Sequence, residues 1–330
     1  MREVAELAGV AMSSVSRVLS SHPDVSPGMS ARVLAAVEQL GYKPNLLAQG
    51  LRRRETLSVG FVVGDISNPL LAQIAMGAET ALREAGYSML LTNSEGDPEL
   101  DAAHVRLFEQ RRVDGLILST AREGHEPTHA ALREAGVPIA VVDRELPSDL
   151  RASRALSDHR AGMSATVRHL LDLGHRRIGV VLGQPVRPSI ERLRALEDVF
   201  AERGLPRTHA VIEGRFSAEH GEAATRSLLD APEPPTAILA AGNQLVVGAL
   251  RVIAERGLEL ARDLSFVGCD DIAITELYRP PIATVRRDSF ELGRVAADLL
   301  LRRLRGDDEP VDVVLPTEFV PRASTGPPRG

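Results

Sequence analysis

From residue 57 onward the chain alternates between two textures, and this alternation limits its fold more than any other feature. Short apolar or β-branched runs stand at Val59–Val63, Met89–Thr92, Gly115–Ser119, Ile139–Asp143, Ile178–Leu182, Ala237–Ala241 and Leu264–Val267. Stretches with helical spacing of apolar residues separate them. Those stretches end on a recurring signal, a charged turn and then glycine: Glu84-Ala85-Gly86, Glu134-Ala135-Gly136, Glu202-Arg203-Gly204 and Glu255-Arg256-Gly257. Glycine just past the last helical turn adopts the left-handed conformation that closes a helix. Strand–helix–strand repetition on this scale predicts an α/β fold with doubly wound parallel sheets. About 270 residues exceed one comfortable domain, so two similar lobes are expected. Such sheets bind ligands outside the carboxyl ends of their strands, which places a site in the cleft between facing lobes.

The first ~45 residues read as all-helical. Val4, Leu7 and Ala8 form one apolar stripe, Val15, Val18 and Leu19 a second, and Val33, Leu34, Val37 and Leu40 a third. Gly9 sits between the first two, where a tight helix–helix turn needs a residue tolerant of positive φ. Gly41 ends the third helix, and Lys43-Pro44-Asn45 begins a new element. Two short helices joined by a glycine turn have the form of a helix-turn-helix, whose second helix enters a DNA major groove. On that helix Ser13, Ser14 and Ser16 allow close approach to phosphates or base edges, and Arg17 has the fork geometry for guanine. On pattern alone, an ordinary three-helix bundle with a serine-rich face stays open. Charge favours the DNA reading. Residues 1–54 hold seven Lys/Arg against four Asp/Glu, a net of +3 in a chain of net −6, so the rest carries −9.

At Val4-Ala5-x-x-Ala8-Gly9-Val10 the likeness to a known family becomes specific. The segment Ala8–Leu19, then Val25-Ser26-Pro27, Gly41-Tyr42-Lys43-Pro44-Asn45 and Ala48-x-x-Leu51-Arg52, resembles the head and hinge of the LacI/GalR regulators in order and spacing. The body agrees through Val59-Gly60, Asp65-Ile66-Ser67-Asn68-Pro69, Val142-Asp143-Arg144, Val267-Gly268-x-Asp270-Asp271, Pro280-Pro281 and Leu315-Pro316-Thr317-Glu318. The resemblance implies a helix-turn-helix domain at 1–43, a hinge helix and linker at 44–56, and a two-lobed, periplasmic-binding-protein-like body at 57–330. Lobe one would hold roughly 57–156 and 288–316, and lobe two roughly 157–287 and 317–330. It further implies a transcriptional regulator, a repressor, that binds a palindromic operator as a homodimer under control of a small carbohydrate effector.

Site residues follow from the same resemblance. Met12 and Ser13 match the base-reading pair, with Arg17 behind them. Ser14, Ser16, Asn45, Gln49 and Leu51 complete the DNA-binding set. Met12 donates no hydrogen bond and would read shape or a thymine methyl. Leu51 matches the hinge leucine that wedges into the minor groove and kinks the duplex. Ala11 stands where the family has a capping serine, a loss of ~1 kcal/mol. The family also carries a few residues ahead of the Arg2-Glu3-Val4 segment, so the natural start is expected upstream of Met1. In the cleft, Asp143, Arg192 and Asp270 match ligand-bonding positions and Phe216 a stacking position. Leu71, Asn243 and Arg287 occupy effector positions but depart from the usual aromatic, aspartate and glutamine. The last two make the cleft more positive and point to an acidic or phosphorylated effector.

Other function classes are excluded or disfavoured. No apolar run reaches the ~20 residues of a membrane span, and nothing reads as a secretion signal. A single cysteine, Cys269, forbids an intrachain disulfide, so a cytoplasmic location is expected. No phosphate loop, dinucleotide fingerprint or nucleophile elbow occurs, and no enzyme activity or cofactor is expected. His169, His175, His125 and His129 lack metal-ligand companions and read as solvated. Asp270-Asp271 resembles a catalytic acid pair, but neighbours on one strand face opposite ways. A secreted solute-binding protein would share the two lobes, yet it would need a signal peptide and no helix-turn-helix.

Overall fold

A computed structural model describes residues 1–19, 24–42 and 55–329, in two compact units, Met1–Leu57 and Ser58–Gly330. The first unit has three helices, α1 (Arg2–Ala8), α2 (Met12–Leu19) and α3 (Pro27–Gln39). Gly9 turns the chain between α1 and α2 at φ 62°, as its position requires. Ser26 caps α3 by accepting the Met29 N–H, and Pro27 follows it at the first helical position. The core is Val4, Ala5, Ala8, Val15, Val18, Val33 and Ala36. Three of the expected stripe residues lie outside it: Leu7, Leu34 and Leu40 are exposed. Helices this short pack through small residues, and Ala5 and Ala36 take the interior places that sequence spacing assigned to the leucines. The hinge segment with Asn45, Gln49 and Leu51 lies outside the described residues.

The second unit holds two six-stranded sheets. The first half of its chain runs β1 (Ser58–Val63), α4 (Pro69–Glu84), β2 (Ser88–Asn93), α5 (Pro98–Gln110), β3 (Gly115–Leu118), α6 (Glu126–Ala135), β4 (Ile139–Val142) and β5 (Ser153–Ser157). It continues through α7 (His159–Asp172), β6 (Ile178–Leu182), α8 (Arg187–Glu202), β7 (Ala210–Glu213), α9 (Ala218–Leu229), β8 (Ala237–Ala240), α10 (Asn243–Glu255) and β9 (Ser265–Cys269). Then come α11 (Ala273–Leu277), β10 (Ala283–Arg286), α12 (Ser289–Leu304), β11 (Asp312–Leu315) and β12 (Glu318–Val320). Lobe one has strand order β11-β5-β4-β3-β1-β2, all parallel. Lobe two has order β12-β10-β9-β8-β6-β7, parallel except for the β10–β12 pair. The chain passes between the sheets after β5, β10 and β11.

All seven runs expected as strands are strands, and the glycines of the charged-turn signals take positive φ at Gly86, Gly136, Gly204 and Gly257. β5, β7, β10, β11 and β12 were not anticipated. All five are outer or next-to-outer strands, short and interrupted by polar residues as in Ser-Arg-Ala-Leu-Ser, so they lack the apolar run of a strand covered on both faces. The histidines correct another expectation. His125, His129 and His175 are buried, not solvated. His175 bonds Thr236 Oγ1 at 2.8 Å on one ring nitrogen, and Ser265 Oγ and the Gly326 carbonyl at 2.9 Å on the other, which ties the C-terminal segment to the sheet. His125 lies between Thr128 Oγ1 at 2.8 Å and Glu99 at 3.0 Å. Among the described residues no three His, Cys, Asp or Glu side chains form a metal-holding group.

Helices α4 and α12 touch through a reciprocal pair of glycines. A Cβ on Gly77 would stand 1.9 Å from the Phe290 carbonyl oxygen, and one on Gly293 1.9 Å from that of Ile74. Backbone occupies both places, so neither side chain has room. Gly77→Ala should lower the unfolding free energy by about 1–3 kcal/mol, the usual cost of overpacking. Gly28→Ala, in α3 with nothing within 4 Å of the added methyl, should be neutral or stabilising. Equal losses in urea denaturation of the two variants would remove crowding as the cause.

Candidate functional site

The first candidate surface is α2. Its inner face, Val15 and Val18, is buried in the three-helix core. Met12, Ser13 and Arg17 are exposed on the outer face, and Ser14 and Ser16 are half-buried. Ala11 ends the turn before α2 and accepts the Ser14 and Val15 N–H groups through its carbonyl, at 2.9 and 3.2 Å. Its methyl offers no side-chain cap. An exposed helix face with small hydroxyls and an arginine is suited to a phosphate-lined groove.

The second candidate site is a cavity of about 370 Å³ between the two sheets. All seven residues expected there line it: Leu71, Asp143, Arg192, Phe216, Asn243, Asp270 and Arg287. Each polar group comes from the carboxyl end of a strand or the helix start after it. Asp143 follows β4 and Asp270 follows β9, and both take left-handed backbone, φ 48° and 70°. Such a conformation costs a non-glycine residue about 1–3 kcal/mol and clusters where ligands are held. It aims one carboxylate from each lobe at the same guanidinium. Arg287, after β10, donates through Nε to Asp270 Oδ1 at 3.0 Å and through Nη1 to Asp143 Oδ2. Arg192 on α8 donates to the Ala241 carbonyl at 2.9 Å and lies 3.8 Å from Asp270. Asp271 turns away to Arg322, as the strand geometry predicts.

Burial opposes ionisation of Asp143, and His159 and Arg287 overcome it, holding its pKa well below the usual value of 3.8. Burial also opposes ionisation of Asp270, which Arg287 and Arg192 reverse. Arg287 would lose basicity through burial, but the two aspartates raise its pKa above the usual arginine value. His159 lies 3.3 Å from Asp143 and is only 2% exposed. Burial, opposed by Asp143, lowers its pKa to about 4, so it is neutral at physiological pH. Arg287 is then the cation that keeps Asp143 ionised.

The apolar side is Phe216 with Leu70, Leu71 and Ile74. A Cβ on Gly183 would come within 2.3 Å of the Phe216 ring and one on Gly242 within 2.9 Å, so the ring depends on both glycines. Asn243 donates to Asn68 Oδ1 across the cleft at 2.6 Å, joining α10 to the start of α4. Four arginines and four carboxylates line the cavity, so it holds no excess formal positive charge. The extra cation, Arg287, is paired with Asp143 and Asp270. Arg144, Arg215, Gln184, Ser157 and His159 belong to the site or its support and were missed as such. Arg144 and Arg215 adjoin assigned residues in sequence, but no spacing signal marks Ser157 or His159.

Residues 1–45 match the model of the bacterial regulatory proteins of the lacI family, and 167–325 that of a periplasmic binding protein-like domain. The HTH-type transcriptional repressor PurR of Haemophilus influenzae (strain PittEE) is 30% identical over 94% of this chain and 93% of its own. This chain belongs to the LacI family. The lac repressor dimer bound to operator and the anti-inducer ONPF superposes with a TM-score of 0.86, at 28% identity and over 98% of both chains. The complex of the transcriptional regulator CelR with cellobiose superposes with a TM-score of 0.74, at 32% identity and over 98% of both chains.

The lowered pKa of His159 has a consequence for stability. An unfolded histidine titrates near 6.5 and His159 near 4, so between these values the unfolded chain binds more protons. Stability therefore falls as pH drops from 6.5 towards 4. His159→Gln should reduce the slope of unfolding free energy against pH in that window by about one proton. An unchanged slope in urea titrations from pH 4 to 7 would contradict a buried neutral His159.

Proposed function

We propose that this LacI-family regulator represses transcription by binding a palindromic operator as a homodimer, and that a sugar-type effector in the interlobe cavity controls its grip. The observation that carries the effector assignment is the convergence of Leu71, Asp143, Arg192, Phe216, Asn243, Asp270 and Arg287 on one cavity. A ring stacked on Phe216 with hydroxyls meeting fixed charges is how a polar, flat-faced ligand is held. In the body's first sheet, β2 is an edge strand whose Leu90 and Leu91 are exposed, which suits cover by a second copy. One recognition helix reads half a site, so a pair matches a twofold operator.

The division of labour follows the chain. Residues 1–43 would carry base reading, with Met12, Ser13 and Arg17 outward and Ser14 and Ser16 towards phosphate. Residues 44–56, including Asn45, Gln49 and Leu51, would couple the head to 57–330. Effector binding changes the balance between lobe arrangements, at a coupling of ~1–3 kcal/mol. The protein would act in the cytoplasm, where DNA is found; no helix among the described residues is long and apolar enough to cross a membrane.

Fluorescence anisotropy against inverted repeats from the chain's own promoter region tests the reading. Specific binding should exceed that to scrambled DNA by at least about a thousandfold and weaken steeply with salt. Arg17→Ala should lose about 1–3 kcal/mol of that discrimination. Arg192→Ala should bind operator normally but no longer respond to effector. Absence of any preference for palindromic DNA would end the regulator reading, whereas a normal effector response in Arg192→Ala would end only the cavity assignment.

A further inference from the structure

Hydrogen-bonding capacity around the cavity is spent unevenly, and the imbalance bears on what fills it. The acceptors around Asp143 and the cleft amides are largely used, whereas Asp270 Oδ2, Asp65 Oδ2 and the Glu95 carboxylate take no protein donor among the described residues. Asp143 Oδ1 takes the Ser157 N–H at 2.6 Å, while Oδ2 takes the Ser157 hydroxyl at 3.0 Å and Arg287. Asp270 Oδ1 takes Arg287 Nε at 3.0 Å. Among the amides, Asn68 Oδ1 takes Leu70 N–H and Asn243 Nδ2, Asn243 Oδ1 takes Gln244 N–H, and Gln184 Oε1 takes Phe216 N–H. Of the remaining carboxylates in the lining, Asp65 is engaged with the Ser67 N–H and hydroxyl at 2.9 and 2.6 Å, and Glu95 is exposed.

The donors are mostly unspent. A guanidinium offers five N–H groups. Arg144 uses two of them, both on carbonyl oxygens, Thr120 O at 2.6 Å and Asp143 O at 2.9 Å. Arg215 uses one, on the Glu95 carbonyl at 3.1 Å. Among the described residues no carboxylate lies within ion-pair distance of either guanidinium, although both line the cavity. Burial lowers the pKa of Arg144; Glu123, Asp143 and Asp101 offset this only through space. A half-buried cation bonded only to neutral carbonyls is under-compensated, and an anion within reach relieves it.

We propose that the effector is an oxyanion-bearing sugar derivative, a sugar acid or sugar phosphate, whose anionic oxygens accept from the spare N–H groups of Arg144 and Arg215. This rests on the reading of the cavity as the effector site. A neutral sugar brings as many hydroxyl donors as acceptors, and both oxygens of Asp143, the acceptor beside Arg144, are already engaged. An oxyanion brings acceptors alone, so it matches the groups still free. The neutralised Arg287 plays no part in this preference except by holding Asp143 and one oxygen of Asp270 away from ligand hydroxyls.

The test is calorimetric titration of the full-length protein with matched series. These are glucose, gluconate, glucuronate and glucose 6-phosphate; ribose, ribonate and ribose 5-phosphate; and cellobiose with cellobionate. An anionic member should bind at least about tenfold more tightly than its neutral parent, the difference expected when neutral hydrogen bonds become charge-assisted. The acid and phosphate arms identify which oxyanion is preferred. Arg144→Gln and the exposed Arg215→Gln should each narrow that gap, lowering affinity for the anionic member more than for its neutral parent. A neutral sugar that binds as tightly as its anionic partners overturns the oxyanion and leaves the sugar-effector reading standing. A gap unaltered in both variants overturns the assignment to these arginines. If no member of any series binds or alters operator affinity, both readings fall together.

Discussion

Arg287 stands between Asp143 of one lobe and Asp270 of the other, and the arrangement of the cavity depends on that bridge. Each aspartate leaves its strand in a left-handed turn, a conformation that local sequence does not favour and that the surrounding structure must enforce. Each also loses its water. The attraction to a guanidinium bonded on two edges offsets these costs, and the result is three ionised side chains in a nearly dry floor. A buried ion pair of this kind adds little net stability, because desolvation consumes most of what the charges gain. What it adds is definition: removal of any one member leaves the others buried and uncompensated, so the ends of β4, β9 and β10 are fixed relative to one another.

A second set of bonds crosses the same cleft without touching the cavity. Helix α8, which carries Arg192, starts at Arg187 with no side-chain cap of its own, since Val186 precedes it. Glu123 from lobe one supplies the acceptor instead, taking the Arg187 N–H at 2.9 Å and the Glu145 N–H at 3.1 Å. Arg187 then returns to Glu145 at 3.1 Å. The helix that presents Arg192 to the cavity is thus capped from the opposite lobe, and any change in lobe arrangement alters the first turn of that helix. Reciprocal coupling between cavity contents and lobe arrangement needs such a shared element.

Much of this was legible in the sequence, for definable reasons. Central strands are covered on both faces, so Val59–Val63 and Ile178–Leu182 read as unbroken apolar runs, and the helix-closing glycines are dictated by backbone conformation. Outer strands carry no such mark, and β5, β7 and β12 escaped notice. In the three-helix unit the exposed Leu7 and Leu34 show the limit of spacing arguments: periodicity names a face but not which neighbours fill it. Whole-chain resemblance supplied the seven cavity residues, which are far apart in sequence. It could not supply Ser157 or His159, whose roles arise only from contact with Asp143. Buried His175 follows the same logic, because the hydroxyl and carbonyl partners that make its burial tolerable come from segments more than sixty residues away.

Arg287 also separates two ways of reading a site. Counted as charge, an arginine in place of a neutral residue makes a cleft more positive; in the folded chain its charge is cancelled by two aspartates. Counted as hydrogen-bonding groups, the same substitution has a different effect, since it occupies carboxylate oxygens that would otherwise receive ligand hydroxyls. In a desolvated cavity the second count governs, because each polar group of a ligand must find a partner or forfeit the water it gave up. The acidic-effector expectation that net charge suggested therefore returns on other grounds. It is carried not by Arg287 but by Arg144 and Arg215, which keep donors to spare and have only backbone carbonyls to spend them on.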